Sequence, residues 1–283
     1  MDDASILIGL GIKALENAFK IHEELGDKGL ESVQKNSYGD TSLVGDLEAE
    51  KAVIDVFRKA NIPLRIISEE HGQIDLSENP KFLAVLDGLD GTIVYKTKRG
   101  KGRYGTMFGI FSNLDPTYED YIFSGVMEHS SNKLYYAIKN KGGFLLQNGE
   151  KSILKCSSKI KLDKSTIIYV DECFDGNRNV PLIYDTYSSK LEGYNFLQQK
   201  SSAIHYVDLA QGTADLVLEC TRKGNLEIAV AFGLVNEAGG VIVTRDGVNI
   251  NKKKYLVLGQ DKYIPIISAS TIDLAKELIR KIS

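Results

Sequence analysis

The chain has 283 residues, of which 43% are hydrophobic and 26% charged, and its formal net charge is −3 at pH 7. This length can bury a large core, and the weakly acidic balance argues against binding to nucleic-acid polymers, which requires a basic face. No apolar run reaches the length of a membrane span, the N-terminus lacks the basic start of a signal peptide, and the three cysteines have no metal-binding spacing. We therefore expect a cytoplasmic protein that does not bind membranes.

In the first half of the chain, two helices precede a series of strands. Apolar residues recur at helical spacing over residues 5–25 and 45–59. Short apolar runs between polar turns predict strands at residues 64–67, 82–86, 107–111, 121–127, 134–138 and 144–146. This order is typical of helices packed on a largely antiparallel or mixed sheet.

The second half alternates between the two kinds of element. Strands are predicted at residues 165–170, 214–219, 241–244 and 265–268, and helices at residues 180–190, 205–211, 226–238 and 270–282. The pattern indicates an α/β class. We divide the chain into an N-terminal half, residues 1–150, and a C-terminal α/β half, residues 151–283.

A short acidic stretch follows the apolar run at residues 82–86. It reads Asp87-Gly-Leu-Asp-Gly-Thr92. An ionised carboxylate at the end of a buried strand is costly unless it is paired or binds a metal, and glycine lets a ligand approach the backbone. Asp-Gly is also a common turn dipeptide, so this stretch alone leaves an ordinary turn and a cation site open.

Further acidic residues stand where predicted strands end or helices begin. They are Asp46 and Glu50, four apart on the second helix, Glu69 and Glu70 after the first strand, and Glu227 in the first turn of a later helix. Each alone has a structural explanation, since acidic residues mostly lie exposed. Because Glu69 and Asp87 both follow apolar strands, however, we expect carboxylates along one edge of a sheet, and carboxylate oxygens suit Mg²⁺.

Four motifs together resemble one enzyme family. Asp87-Gly-Leu-Asp-Gly-Thr92 is similar to the Asp-Pro-Ile-Asp-Gly-Thr motif of the inositol monophosphatase family, which belongs with the fructose-1,6-bisphosphatases. Ile67-Ser-Glu-Glu-His-Gly-Gln-Ile-Asp75 resembles a segment of the archaeal dual-activity members. Residues 226–240 match the Trp-Asp…Glu-Ala-Gly-Gly signature in register, and residues 39–50 stand where the family has its Thr…Asp…Glu segment.

The resemblance implies a layered αβαβα sandwich and a phosphatase that uses two or three Mg²⁺ ions. It implies a first ion held by Glu69, Asp87 and the backbone carbonyl of Leu89, and a second held by Asp87, Asp90 and Glu227. It further implies that Thr92 and Glu69 orient the attacking water, and that Asp46 supports Thr92.

The same resemblance implies how a substrate binds. The residues it assigns to the substrate are Asp90, Gly91, Thr92, Ser202, Ala203, Glu219 and Arg222. The backbone of Gly91 and Thr92 would receive the phosphate, and the remaining residues would contact the alcohol or sugar. The resemblance also implies a homodimer or a larger homo-oligomer.

The sequence departs from the family at several positions. Gly88 replaces the proline of the metal loop, Leu226 replaces the tryptophan, and Glu227 replaces an aspartate. We expect the second ion still to bind, more weakly or in a shifted position. The basic stretch Lys96–Arg103 is either a solvated loop or a source of positive potential that captures a second phosphate.

The sequence therefore predicts magnesium-dependent hydrolysis of inositol 1-phosphate, fructose 1,6-bisphosphate or both, by a metal-activated water. One alternative is a 3′-phosphoadenosine 5′-phosphate phosphatase of the same superfamily. Another is a catalytically weak or regulatory relative that binds metal, suggested by the three departures above.

Overall fold

A computed structural model describes residues 3–36, 39, 41–98, 102–170, 187–197, 201–221, 223–260 and 262–283. Within these ranges the helices are α1 (Asp3–Leu25), α2 (Val44–Lys59), α3 (Thr92–Lys98), α4 (Ser202–Ala210), α5 (Leu226–Glu237) and α6 (Ile272–Ile282). The strands are β1 (Ser32–Lys35), β2 (Thr41–Leu43), β3 (Leu64–Ser68), β4 (Gly72–Asp75), β5 (Phe82–Asp90), β6 (Gly105–Phe111), β7 (Tyr121–Glu128), β8 (Lys133–Ile138), β9 (Gly142–Gln147), β10 (Glu150–Ile153), β11 (Ile167–Val170), β12 (Asn195–Leu197), β13 (Leu216–Cys220), β14 (Val241–Thr244) and β15 (Pro265–Ala269).

Two sheets organise the chain. The larger sheet has the strand order β10-β9-β8-β7-β6-β5-β3-β4, with β3 and β5 parallel and the other neighbours antiparallel. The smaller sheet has the order β12-β11-β13-β15-β14, with β11 parallel to β12 and β13. Strands β1 and β2 form a separate antiparallel pair.

The helices form three layers around these sheets. Helices α1 and α2 bury residues such as Leu15 and Phe57 against one face of the larger sheet. Helices α4 and α5 share a core with the opposite face and with the smaller sheet, while α6 packs on the outer face of the smaller sheet. Since both sides of α5 are covered, it is apolar and buried around most of its circumference. This confirms the predicted αβαβα sandwich.

The prediction was less successful in detail. Helix α4 begins at Ser202 and not at residue 205. The helix predicted at 180–190 falls largely outside the described residues, and residues 188–191 form a short 3₁₀ turn. Cys156 and Cys220 are buried, whereas Cys173 is outside the described ranges. No helix in the described part of the chain is long and apolar enough to cross a membrane. The division near residue 150 stays a prediction.

Candidate active site

The parallel register of β3 and β5 places Glu69 beside Asp87. Ser68 lies opposite Leu86 in this pairing, and the N–H of Glu69 donates to the carbonyl of Leu86 at 3.0 Å. The next residue of each strand therefore leaves the same edge of the sheet. Glu69 and Asp87 are therefore neighbours as expected, but Asp87 lies inside β5, which continues to Asp90.

A β-bulge brings Asp90 to the same side as Asp87. Residues three apart on a regular strand point to opposite faces. Asp87 lies opposite Met107 but Asp90 lies opposite Gly105, so three steps along β5 match two steps along β6. The extra residue reverses the alternation, and both carboxylates reach one cluster.

Glu227 completes this cluster from the first turn of α5. Carboxylate oxygens of Asp87, Asp90 and Glu227 all lie within 4.8 Å of one another, and all three residues are buried. Burial raises the pKa of Asp87 well above its ordinary value, and the charges of Glu69, Asp90 and Glu227 raise it further. A buried set of like charges with oxygen donors fits a hard divalent cation such as Mg²⁺. We call Asp87, Asp90 and Glu227 the acidic cluster.

Thr92 and Asp46 form a hydrogen-bonded pair next to the acidic cluster. The hydroxyl of Thr92 lies 3.2 Å from Oδ1 of Asp46 and 3.0 Å from the carbonyl oxygen of Leu89. The other oxygen of Asp46 accepts the N–H of Leu43 at 2.6 Å, which fixes the side chain at the start of α2. Burial raises the pKa of Asp46 to about 8, against the hydrogen bond from Leu43.

The backbone between the two aspartates is also held. The N–H of Leu89 donates to Oδ1 of Asp87 at 2.9 Å. The hydroxyl of Thr106, on β6, donates to the carbonyl of Gly88 at 2.6 Å. These bonds fix the shape of the loop whose Leu89 carbonyl is a predicted ligand.

Helix α4 reaches the cluster with its N-terminal end. Oδ2 of Asp90 accepts the hydroxyl of Ser201 at 2.5 Å and the N–H of Ala203 at 2.8 Å. Gly91 has φ +92°, and a Cβ at this position would lie 2.9 Å from Cβ of Ser201 and 3.0 Å from Cβ of Tyr104. Glycine is therefore required at Gly91 by both conformation and space.

The predicted substrate residues are only partly brought together. The hydroxyl of Ser202 lies 3.4 Å from Glu219, whose buried carboxylate also accepts the hydroxyl of Tyr206. Arg222 lies outside the described residues. Ser201 and Tyr206 did not enter the predicted site, because the contact of each with an acidic residue depends on how α4 packs.

Comparison with known proteins decides the family. The model of the inositol monophosphatase family matches residues 5–276. The chain belongs to the inositol monophosphatase family. Membership makes it a phosphatase, a hydrolase of phosphomonoesters.

Relatives of this family member carry two kinds of name. A fructose-1,6-bisphosphatase/inositol-1-monophosphatase of Methanothermobacter thermautotrophicus is 24% identical over 88% of this chain and 86% of the relative. A bifunctional NADP phosphatase/NAD kinase of Methanococcus maripaludis is 26% identical over 80% of this chain, which spans 40% of that longer protein.

Solved structures show the same fold. An inositol monophosphatase from Anabaena (Nostoc) sp. PCC 7120 superposes with a TM-score of 0.76 at 16% identity, covering 99% of this chain and 96% of the other. The extragenic suppressor protein suhB from Bartonella henselae gives a TM-score of 0.76 at 18% identity, covering 98% of each chain.

The basic stretch differs from both interpretations of the sequence at its last residue. Arg103 makes two hydrogen bonds to Glu128, each at 2.9 Å, and two to Asp208, each at 2.8 Å. Its guanidinium is thus held by two buried carboxylates, although the side chain is still 31% exposed. Lys96 and Lys98 lie exposed at the end of α3, and residues 99–101 are outside the described ranges.

Gly88 has a packing reason that the sequence did not indicate. A Cβ at Gly88 would lie 2.6 Å from Cγ of Glu50 and closer still to the carbonyl oxygen of Asp46. Helix α2 therefore approaches the loop closely, and the space at residue 88 suits glycine better than a residue with a Cβ.

Sequence reasoning also missed what Glu50 does. It placed Glu50 on the face of Asp46, but assigned it no partner. In the structure its buried carboxylate binds the turn that carries Glu69 and Glu70, and Nδ1 of His71 lies 2.7 Å from its Oε2. The hydrogen bond to Glu50 raises the pKa of His71, although burial opposes this.

Proposed function

We propose that this chain is a magnesium-dependent phosphomonoesterase that hydrolyses inositol 1-phosphate, fructose 1,6-bisphosphate or both. The acidic cluster beside the Thr92–Asp46 pair is the observation that supports this most. The name of the Methanothermobacter relative combines the same two activities. We further propose that the enzyme is a cytoplasmic homodimer or larger homo-oligomer, as expected from the sequence.

The proposed metal ligands are those that the sequence resemblance implies, and the acidic cluster supports three of them. In our proposal, Glu69, Asp87 and the carbonyl of Leu89 hold one Mg²⁺, and the acidic cluster holds a second. When bound, the ions supply positive charge that offsets the phosphoryl oxygens and the leaving alkoxide, and they lower the pKa of a water. The buried carboxylates suit this task because oxygen ligands are what Mg²⁺ prefers.

The chain's own residues then orient the water and take its proton. The hydroxyl proton of Thr92 points to Asp46 or to the carbonyl of Leu89, so its lone pairs accept a hydrogen bond from the water. Glu69, at the neighbouring strand end, accepts the proton as the water oxygen bonds to phosphorus. The bond to the leaving oxygen breaks in the same displacement, and that oxygen takes a proton from solvent.

The substrate lies between α3 and α4 in this proposal. The N–H groups of Gly91 and Thr92 would bind the phosphate, and Asp90 would help to hold a Mg²⁺ ion that supplies positive charge to it. The hydroxyl groups of the alcohol or sugar form hydrogen bonds with Ser202, Ala203 and Glu219. Arg222 is assigned to a sugar phosphate on the sequence resemblance alone.

A nucleotide phosphomonoester is the second candidate substrate. Two relatives, from Methanococcus maripaludis and Methanocaldococcus jannaschii, carry the name bifunctional NADP phosphatase/NAD kinase at 26% and 24% identity. This favours NADP⁺ and extends the 3′-phosphoadenosine 5′-phosphate alternative drawn from the sequence. A second phosphate group would bind at Lys96–Lys98, the first residues of the basic stretch.

Phosphate release from a small panel tests these functions. The panel holds inositol 1-phosphate, fructose 1,6-bisphosphate, NADP⁺ and 3′-phosphoadenosine 5′-phosphate, each with Mg²⁺ and with EDTA. We expect release of phosphate from the first two substrates only when Mg²⁺ is present. Preference for either nucleotide would favour the second candidate, and no release from any substrate would favour a non-catalytic metal-binding relative.

A further inference from the structure

The turn that carries Glu69 is held from below by one buried side chain. The carboxylate of Glu50 accepts the hydroxyl of Ser68, the N–H of Glu69 at 3.1 Å and the N–H of Glu70 at 3.3 Å. Nδ1 of His71 is its fourth partner, at 2.7 Å. All four residues of the turn thus donate to one carboxylate, and the N–H of Glu69 is shared with the carbonyl of Leu86.

This convergence has an energetic reason. Glu50 is fully buried, and a buried carboxylate is tolerated only where donors surround it. Hydrogen bonds to an ionised group are about twice as strong as neutral ones. These bonds favour the conformation of the turn in which the N–H groups of Glu69 and Glu70 face Glu50 on α2.

Helix α2 links this turn to the acidic cluster. The Cγ of Glu50 is the atom that a Cβ at Gly88 would meet at 2.6 Å, so Glu50 lies against the loop between Asp87 and Asp90 as well. One turn earlier on the same helix, Asp46 holds Thr92. A shift of Glu50 would thus alter Glu69 relative to Asp87.

His71 adds a donor that braces the same carboxylate from the solvent side. Its side chain is 33% exposed, whereas that of Glu50 is 0% exposed. The backbone N–H of His71 also donates to the hydroxyl of Ser68 at 2.9 Å, which closes the network. The imidazole can be changed without opening a core cavity, so it can be tested separately from Glu50.

We propose that Glu50 and His71 are positioning residues, which hold the turn at residues 68–71 so that the carboxylate of Glu69 faces Asp87 and the bound cation. The proposal rests on the role that the proposed function gives to Glu69. Neither residue touches the substrate, and each acts through the conformation of the turn.

The test compares Glu50→Gln with Glu48→Gln, the same change at an exposed position of α2. Because outer partners of metal ligands typically contribute 10- to 100-fold, we expect Glu50→Gln to lower kcat by about 10- to 100-fold. We expect KM to change by less than about threefold, since substrate contacts are intact. Mn²⁺ affinity, measured by electron paramagnetic resonance without substrate, should fall by a similar 10- to 100-fold.

His71 provides the second arm, which is independent of how Glu50→Gln folds. His71→Ala removes the donor and should lower kcat and Mn²⁺ affinity by about tenfold. His71→Asn places an amide N–H near the position of Nδ1 and should restore both to within about threefold of wild type. A purely structural role would instead lower the unfolding temperature without this rescue.

The outcomes separate this proposal from the proposed function. The positioning role would be overturned if Glu50→Gln and His71→Ala had the same kcat and Mn²⁺ affinity as the control, Glu48→Gln. Losses of equal size in His71→Ala and His71→Asn would do the same. Absence of phosphate release by the wild-type protein would overturn the proposed function, while the Mn²⁺ measurements would still decide the positioning of the turn.

Discussion

Two groups of buried carboxylates in this molecule have opposite electrostatics. Glu128 and Asp208 are 1% and 4% exposed, and Asp87 in the acidic cluster is 3% exposed. Burial raises the pKa of Glu128, but the hydrogen bonds and charge of Arg103 outweigh burial and lower it. Burial raises the pKa of Asp87 as well, and there the neighbouring charges are negative and add to the effect.

The difference lies in where the positive charge comes from. Arg103 is part of the chain and compensates its two partners as soon as the protein folds. The charges that raise the pKa of Asp87 are those of other carboxylates, and in our proposal a Mg²⁺ ion from solution compensates them. Equal burial thus gives a structural ion pair in one place and, in our proposal, a cation site in the other.

The largest effect is expected from Asp87→Asn, which removes the carboxylate that both proposed Mg²⁺ sites have in common. Since bound cations supply several kcal/mol of charge stabilisation, phosphate release should fall on the order of 10³-fold. In the metal-free protein the same change should raise the unfolding temperature by roughly 2–4 °C, because it removes one of the carboxylates that repel each other in the acidic cluster.

Calorimetry in EDTA and in excess Mg²⁺ checks this second effect. Mg²⁺ should stabilise the wild-type protein through binding to the native state alone, and Asp87→Asn should lose most of that gain. A variant with wild-type activity, or with the full stabilisation by Mg²⁺, would show that the cluster is not the cation site.

The next largest effect is expected from Arg103→Gln, which removes the built-in cation. Breaking a buried pair leaves the carboxylates unpaired and typically costs 3–5 kcal/mol. Because the Arg103 side chain is 31% exposed, we expect a smaller loss, about 3 kcal/mol of unfolding free energy at neutral pH. Urea denaturation measures this loss, and Arg58→Gln, at an exposed position of α2, is the control.

The pH dependence of this loss follows from the sign of the shift. The pKa of Glu128 is lowered in the folded wild-type protein, so its contribution is present above the ordinary pKa near 4.5 and is lost as pH falls through the folded value. Without Arg103, burial should raise that pKa instead. The difference in unfolding free energy between variant and wild type should therefore become smaller as the pH falls from about 7 to about 5. A difference that does not change with pH would contradict the assigned ion pair.

These two regions also differ in how far the sequence could predict them. Glu69 and Asp87 follow apolar strands, so their meeting at a sheet edge is a local property of two neighbouring elements, and it was found. The pairing of Arg103 with Glu128 and Asp208 joins residues 25 and 105 positions apart. Such contacts depend on the packing of α4 against the larger sheet, which no local pattern encodes.

The loop between the aspartates shows the same limit. Its two Asp-Gly pairs indicated a sharp turn, but the β-bulge that aligns Asp87 with Asp90 depends on the register with β6. The close approach of α2 to Gly88 likewise depends on tertiary packing. The residue types therefore indicated which acidic side chains lie together, and they did not indicate the contacts that support them.

A smaller effect is expected from Gly88→Ala, which asks whether the acidic cluster needs this close approach. The added methyl would overlap Asp46 and Glu50, and overpacking typically costs 1–3 kcal/mol. We expect about 2 kcal/mol less unfolding free energy and weaker Mg²⁺ binding. Gly9→Ala is the control, because a Cβ there meets nothing within 4 Å and alanine should stabilise α1 by up to about 1 kcal/mol. Equal stability of the two variants would contradict the packing described for α2.

The smallest effect is expected from Glu227→Asp, which restores the residue usual in the family. The backbone of α5 here places a glutamate carboxylate within 4.8 Å of the oxygens of Asp87 and Asp90. Aspartate is one methylene shorter, so its oxygens would withdraw from the cluster unless α5 moved. We expect the Mg²⁺ concentration for half-maximal activity to rise about tenfold, at the lower end of the range for disturbed metal surroundings. An unchanged Mg²⁺ requirement would mean that the length of this side chain does not tune the site. The acidic cluster would then adjust its side chains to a bound cation, in contrast to the fixed pairing of Arg103 with Glu128 and Asp208.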